Sequence, residues 1–290
     1  MKLFDPSLPF YKGNLHTHTT NSDGRVTPEE SMRQYKDAGY DFLALTDHWF
    51  VGAAQDYKGM LILPGAEYDF TFPNQVLHIV ALYPDEKQAA AIARGMDHQD
   101  AIARVNAAGG VPIAAHPAWS MNTTEFLCTL DGVDIAEVYN TVSGEPFNGP
   151  RADAEALLDV AAANGKYFKL TAADDSHFYQ GEQCVSYVQV QAQELTAPSI
   201  LSALRQGRFY ASQGPEIRNI EIRDDELLVE TSPVDRITVC SNRVWVKDRC
   251  VQGKGLTERS YKIQPGEKYV RVRLTDHAGR KAWSNPIVLC

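Results

Sequence analysis

Short apolar runs that end in polar, ligand-type residues recur along the first two thirds of this chain, and they narrow its fold more than any other feature. Residues 40–46 (YDFLALT) run into Asp47 and His48, 60–67 (MLILPGAE) close on Glu67, and 75–82 (QVLHIVAL) carry His78. Residues 111–116 (VPIAAH) end at His116, 132–139 (GVDIAEVY) hold Glu137, and 167–173 (YFKLTAA) lead into Asp174, Asp175, Ser176 and His177. Near-continuous apolar runs of this length suit buried parallel strands. Helical segments separate most of them. Thr27, Pro28 and Glu30 form a good helix start, and that helix runs to Ala38 and stops at Gly39. Asp85 to Gly109, Arg151 to Asn164 and Ala197 to Gln206 read as further helices, with an alternating strand over 187–192. Strand, helix, strand is a βα-barrel rhythm.

The first strand, Phe10 to His18, opens into N-L-H-T-H-T-T-N-S-D-G, which holds His16, His18 and Asp23 within eight residues. Alternate residues of a strand share a face, so His16 and His18 project together and Thr17 points away. The polar turn that follows would bring Asp23 back over the strand's end. Alone, this motif reads equally as a metal site or as two histidines making structural hydrogen bonds. What separates the readings is the rest of the histidine set. His16, His18, His48, His116 and His177 all fall at or just past a strand's C-terminal end, where βα barrels place their chemistry. His98, on a polar helix face, and His277, in a turn, read as ordinary surface residues. Imidazoles and carboxylates without a nearby cysteine suit Zn, Mn or Fe, and nine candidates exceed the four that a closed structural site needs.

Taken in order, the blocks H16-T-H18 with S-D23-G, T-D-H48, G-A-E67, L-H78, A-H116-P and D-D175-S-H177 resemble the PHP (polymerase and histidinol phosphatase) family over about Asn14 to Gly214. The run G-R-F-Y-A-S-Q-G-P and the residues after it resemble the subgroup with a C-terminal β domain that includes the carbaryl-hydrolase-like (CehA/McbA-like) members. The resemblance implies an α/β fold, a distorted (β/α)7 barrel with two or three divalent ions. It implies that His16, His18, Glu67 and Asp175 hold one ion, that Glu67, His78 and His116 hold a second with Glu67 bridging, and that Asp23, His48 and His177 hold a third. His48, His177 and Asp23 are also the expected catalytic residues, His48 or His177 as proton donor to the leaving group. Asp47 is expected either to orient a ligand or to cap a turn.

From Ile217 to Cys290 helical periodicity disappears. Short alternating runs at 217–222, 226–230, 236–240, 244–247, 260–263 and 269–275, then a hairpin turn at Asp276, predict a small β-sandwich. The expected division is therefore a barrel over 1–213 and a β-sandwich-like domain over 214–290.

The expected function is metal-dependent hydrolysis of a small phosphate ester, a nucleotide or histidinol-phosphate-like compound. Two alternatives remain open: a carboxyl-ester, carbamate or amide hydrolase on the same centre, and a metal-binding regulatory module. A net charge of −9 without a basic run disfavours nucleic-acid polymers as partners. Arg151 and Lys169 read as solvated cations, and Tyr139 and Asn140 as pocket wall. Five scattered cysteines without a C-x-x-C pair, no signal-like start and no apolar run of membrane length lead to the expectation of a cytoplasmic protein with no membrane partner.

Overall fold

The computed structural model describes residues 1–289. Its first part contains β1 (Phe10–Asn14), α1 (Pro28–Asp37), β2 (Phe42–Leu45), β3 (Gln55–Tyr57), β4 (Met60–Thr71), β5 (Val76–Leu82), α2 (His98–Ala107) and β6 (Val111–Ala114). It continues through α3 (Thr124–Thr129), β7 (Ile135–Asn140), α4 (Glu155–Ala163), β8 (Lys169–Ala173), β9 (Tyr187–Gln191), α5 (Ala197–Gln206) and β10 (Phe209–Ser212). Six strands follow: β11 (Ile217–Arg223), β12 (Glu226–Ser241), β13 (Cys250–Lys262), β14 (Tyr269–Thr275), β15 (Lys281–Ser284) and β16 (Ile287–Val288). No helix among the described residues is long and apolar enough to cross a membrane.

The strand order β9-β1-β2-β4-β5-β6-β7-β8 places the apolar runs side by side. β1, β2 and β4 are mutually parallel, as are β6, β7 and β8. The regular βα rhythm breaks at β5, which pairs antiparallel with both β4 and β6. Only a tight turn closed by Phe72 N–H on the Gln75 carbonyl separates β4 from β5, too short for a parallel crossover. Beyond the ladders, Thr17 and Ser176 form a parallel bridge between the chain after β1 and the chain after β8.

Local chemistry sets the helix starts. The Thr27 hydroxyl accepts from Glu30 N–H, as its sequence suggests. The helix expected from Asp85 begins only at His98, because the Asp97 carboxylate caps Gln99 and Asp100 and Gly95 lies in the left-handed region at φ 85. Likewise α4 starts at Glu155, four residues later than expected, where Asp153 accepts from its N–H.

In the last part, two expected strands merge into the single β12, with register shifts on either side of Val234, next to Pro233. Residues 244–247, expected as a strand, form an exposed loop between β12 and β13. β10 pairs with β9 on one side and β15 on the other, so the C-terminal strands continue the first sheet. Their core gathers Ile220, Val229, Ile237, Val272 and Leu274 with Phe4 from the N-terminal segment.

A buried ion cluster ties the two stretches together. Arg271, 1% exposed, donates to Asp159 Oδ1 and Oδ2 at 2.7 and 2.6 Å and to Glu155 Oε1 at 2.8 Å, while Arg273 reaches Glu155 Oε2 at 3.1 Å. Burial alone would raise the Glu155 carboxyl, but the two guanidiniums outweigh it and bring it down to about 2. A value lower in the folded than in the unfolded state adds stability at neutral pH that is lost as pH falls from about 4.5 through about 2. Glu155→Gln is expected to cost about 3 kcal/mol at pH 7. In urea melts the gap to wild type should narrow steadily as the pH is taken down to about 3.5; a gap independent of pH would contradict the pairing.

Candidate metal centre

All nine residues singled out as ligands meet at one end of the strands. His16 and His18 lie just past β1, His48 past β2, Glu67 and His78 within β4 and β5, His116 past β6, and Asp175 and His177 past β8. A cavity of roughly 200 Å³ opens over them, walled on its apolar side by Trp119, Val142 and Phe178. Asp23 arrives through the turn after His18. That turn folds so closely on the strand that a Cβ on Gly24 would sit 2.5 Å from the His18 carbonyl, which explains the glycine after Asp23.

The donor atoms form three overlapping groups: His16, His18, Glu67 and Asp175; Glu67, His78 and His116; and His18, Asp23, His48 and His177. In the first, Nε2 of His16 lies 3.2 Å from Glu67 Oε2 and 3.1 Å from Asp175 Oδ1, and Nε2 of His18 lies 3.0 and 3.1 Å from the same oxygens. In the second, Glu67 Oε1 is 2.8 Å from His78 Nδ1 and 3.0 Å from His116 Nε2. The third is looser and more open. Asp23, with its side chain half exposed, stands 3.4 to 3.7 Å from His18, His48 and His177.

These contacts fit bound cations. His16 Nδ1 is 2.8 Å from Glu137 Oε1, so its proton belongs there and Nε2 turns a lone pair on His18 Nε2, 3.1 Å away, and on two carboxylate oxygens. Acceptors converge on acceptors. Asp175 Oδ1 and His48 Nδ1 are buried without a hydrogen-bond partner, which costs energy unless something positive sits among them. The same field appears in the titration. Burial disfavours the charged forms of His16 and His18, yet the surrounding carboxylates raise both well above the usual imidazole range. Burial likewise opposes ionisation of Glu67 and Asp175, and the imidazoles push both below the carboxylate range. His48 moves the other way, lowered by burial. His116 and Asp175 also hold positive φ angles, 28° and 54°, a strain that clusters at functional sites.

Several residues outside the ligand set hold it in place. Glu137 is buried, and besides His16 it accepts at Oε2 from His116 N–H and Asn140 Nδ2, both at 2.8 Å. Asn140 Nδ2 also reaches Asp175 Oδ2 at 3.2 Å. A bulge in β7 between Glu137 and Tyr139 makes this possible, by turning Asn140 to the side of Glu137. Tyr139, expected as pocket wall, instead stacks on Trp283. Asp47 closes the turn after His18, accepting from Thr19 N–H, Thr19 Oγ1 and Ser22 Oγ. Glu182, fully buried, accepts from the N–H groups of His177, Phe178, Tyr179 and Gln180 and so fixes the loop bearing His177. Burial pushes the Asp174 carboxyl up to about 7, although Tyr35 and three backbone N–H groups donate to it. No motif marked either residue: Glu137 stood out only as a carboxylate within an apolar run, and Glu182 lies in a polar stretch that carries no signal. His98 packs its ring near Phe72 and Phe126 rather than on a polar face, and His277 is exposed in its turn.

The fold is similar to that of a protein with a PHP-like domain. A solved two-domain protein from Bacteroides vulgatus, containing a predicted PHP-like metal-dependent phosphoesterase, superposes over 99% of this chain and 96% of its own, with a TM-score of 0.54 at 16% identity. Curated proteins match only over short stretches. The 5'-3' exoribonuclease Rnm of Salmonella typhimurium is 32% identical over 80 residues, 25% of this chain and 27% of that protein. The 3',5'-nucleoside bisphosphate phosphatase of Chromobacterium violaceum is 34% identical over 86 residues, 28% of this chain and 30% of that protein. The matched stretches thus span under a third of these relatives. No family model matches the chain.

Glu137→Gln would exchange a carboxylate acceptor for an amide while keeping the shape. Metal affinity, followed by competition with a coloured chelator, is expected to fall by about 10- to 100-fold with the melting profile of the metal-free protein little changed. Equal affinity in both proteins would remove Glu137 from the support of the centre.

Proposed function

We propose that this chain is a metal-dependent phosphoesterase acting on a small phosphate ester such as a nucleotide or a histidinol-phosphate-like compound. The observation that carries the reading is the sharing of Glu67 between two ligand groups, the arrangement by which paired divalent ions are held. The names of the two curated relatives, an exoribonuclease and a nucleoside bisphosphate phosphatase, agree with it. We assign His16, His18, Glu67 and Asp175 to one ion, Glu67, His78 and His116 to a second, and the looser Asp23, His48 and His177 to a third, weaker position. The donor set suits Mn, Fe or Zn. Bound there, divalent ions would supply a water of lowered pKa and positive charge for phosphoryl oxygens.

The chain's own residues do the rest. Glu67 and Asp175 set the spacing of the site, and Glu137 and Asn140 keep the ring of His16 and the carboxylate of Asp175 aimed inward. His48 and His177 line the cavity at its open side and are the candidates to pass a proton to the leaving group, with Asp23 orienting His177. The fold expectations extend this reading: β1, β2, β4, β5, β6, β7 and β8 make seven strands of a distorted barrel over 1–213, and 214–290 a sandwich-like support. The free thiols of Cys128, Cys184, Cys240 and Cys250 suit a reducing cytoplasm.

One observation favours a second reading. Among the described residues no Arg or Lys lines the cavity, and the walls at Trp119, Val142 and Phe178 are apolar, as an ester, carbamate or amide hydrolase would have them. A single screen separates the two. Protein purified without chelator is analysed for metal and offered p-nitrophenyl phosphate, a nucleoside monophosphate and p-nitrophenyl acetate. The phosphoesterase reading expects phosphate release that falls at least about 100-fold in His18→Ala and Asp175→Ala. Acetate cleavage with no phosphate release would transfer the assignment to the second reading, and activity that survives loss of metal would sink both.

A further inference from the structure

The acidity of the whole chain conceals a local reversal. From Asp235 to Arg273 ten basic residues stand against four acidic ones, within a chain of net charge −9. They do not scatter evenly. Arg236, Arg249, Arg273 and Lys247 line one open concavity of about 540 Å³ together with Trp245. Trp245 is 77% exposed and neighbouring Val244 99% exposed, at the tip of the loop between β12 and β13.

That loop is held from beneath. Arg249 donates to the carbonyls of Val244 at 3.4 Å and Arg243 at 2.5 Å and to Ser241 Oγ at 3.1 Å. Arg259 donates to the carbonyls of Ile237 at 2.6 Å, Arg249 at 2.8 Å and Asp248. Hydrogen bonds to neutral carbonyls cancel no charge, so both guanidiniums keep their positive field while fixing the shape that presents Trp245. Arg273 shares Glu155 with Arg271, whereas Arg236 and Lys247 have no ion-pair partner among the described residues. Asp248 is the one carboxylate on the rim.

We propose that this surface binds single-stranded nucleic acid. Cations spaced along a concavity follow a phosphate backbone, and an exposed aromatic ring beside them offers a stacking face to a base regardless of its identity. A duplex hides its base faces, and two apolar residues bury too little to seat the loop in a bilayer while the cations lie behind them. None of the residues lining this concavity lines the metal cavity, so the assignment stands apart from the phosphoesterase reading.

The test uses the full-length, metal-loaded protein and a fluorescein-labelled oligouridine with a hydrolysis-resistant phosphorothioate backbone, followed by anisotropy. Trp245→Ala is expected to weaken binding about tenfold by loss of one stacked base. Arg236→Glu with Lys247→Glu should weaken it further and flatten the dependence of log affinity on log salt by roughly 0.7 for each lost cation. Duplex of the same sequence should compete poorly. Undiminished binding by both variants would overturn the proposal. So would equal competition by base-free polyphosphate, or capture by anionic vesicles in place of the oligonucleotide.

Discussion

Five imidazoles surround one buried carboxylate, and most of the site depends on that contact. Glu67, 1% exposed, has His16, His18, His48, His78 and His116 within 3.4 Å of its two oxygens. A lone carboxylate in such a place would pay a large desolvation penalty, and so would the imidazolium ions needed to balance it. Cations shared by the donors would resolve both costs at once. Glu67 can occupy this place because β4 is long and central. On one side Glu67 pairs with Val80 of β5, and on the other its N–H donates to the Asp47 carbonyl while its own carbonyl accepts from Trp49 N–H, so the same backbone bridge sets His48 beside it.

Around this centre the protein uses hydrogen bonds to neutral or oppositely charged groups to keep ligands from drifting. Glu137 ties the first strand's His16 to His116 past β6, and Asn140 extends the tie to Asp175. Asp47 and Glu182 each bind a turn that carries ligands. The positive φ angles at His116 and Asp175 are sustained by this over-determination. These bonds are thus concentrated at the end of the strands that carries the His-rich cluster, while Asp23 at the mouth remains half exposed.

The C-terminal strands brace the preceding part of the sheet through Arg271 and through Asn285, which bonds to Leu170 N–H and to the carbonyls of Gly207 and Phe209. Arg273, beside Arg271 on β14, also lines the concavity at the loop between β12 and β13, where the charge is reversed. The buried carboxylates of the His-rich cluster and the cations of residues 236–273 divide one chain into regions with opposite electrostatic preferences.

The order of ligand blocks was legible from sequence because each lies at the end of an apolar run, and side-chain alternation in a strand is a local property. His16, His18, His48 and Glu67 could therefore be named without coordinates. The antiparallel course of β5 was equally present in the short turn at 72–75, but a reading that expects a helix after every strand passes over it. What lay beyond the sequence were contacts made across the fold. The role of Glu137 rests on a bulge in β7, that of Glu182 on a loop closing over it, and the reversed charge on strands 236–273 coming together while the chain average stays acidic. Local chemistry determined which residues could serve as ligands; only tertiary structure decided which of them share Glu67, because that depends on strands far apart in sequence meeting in register.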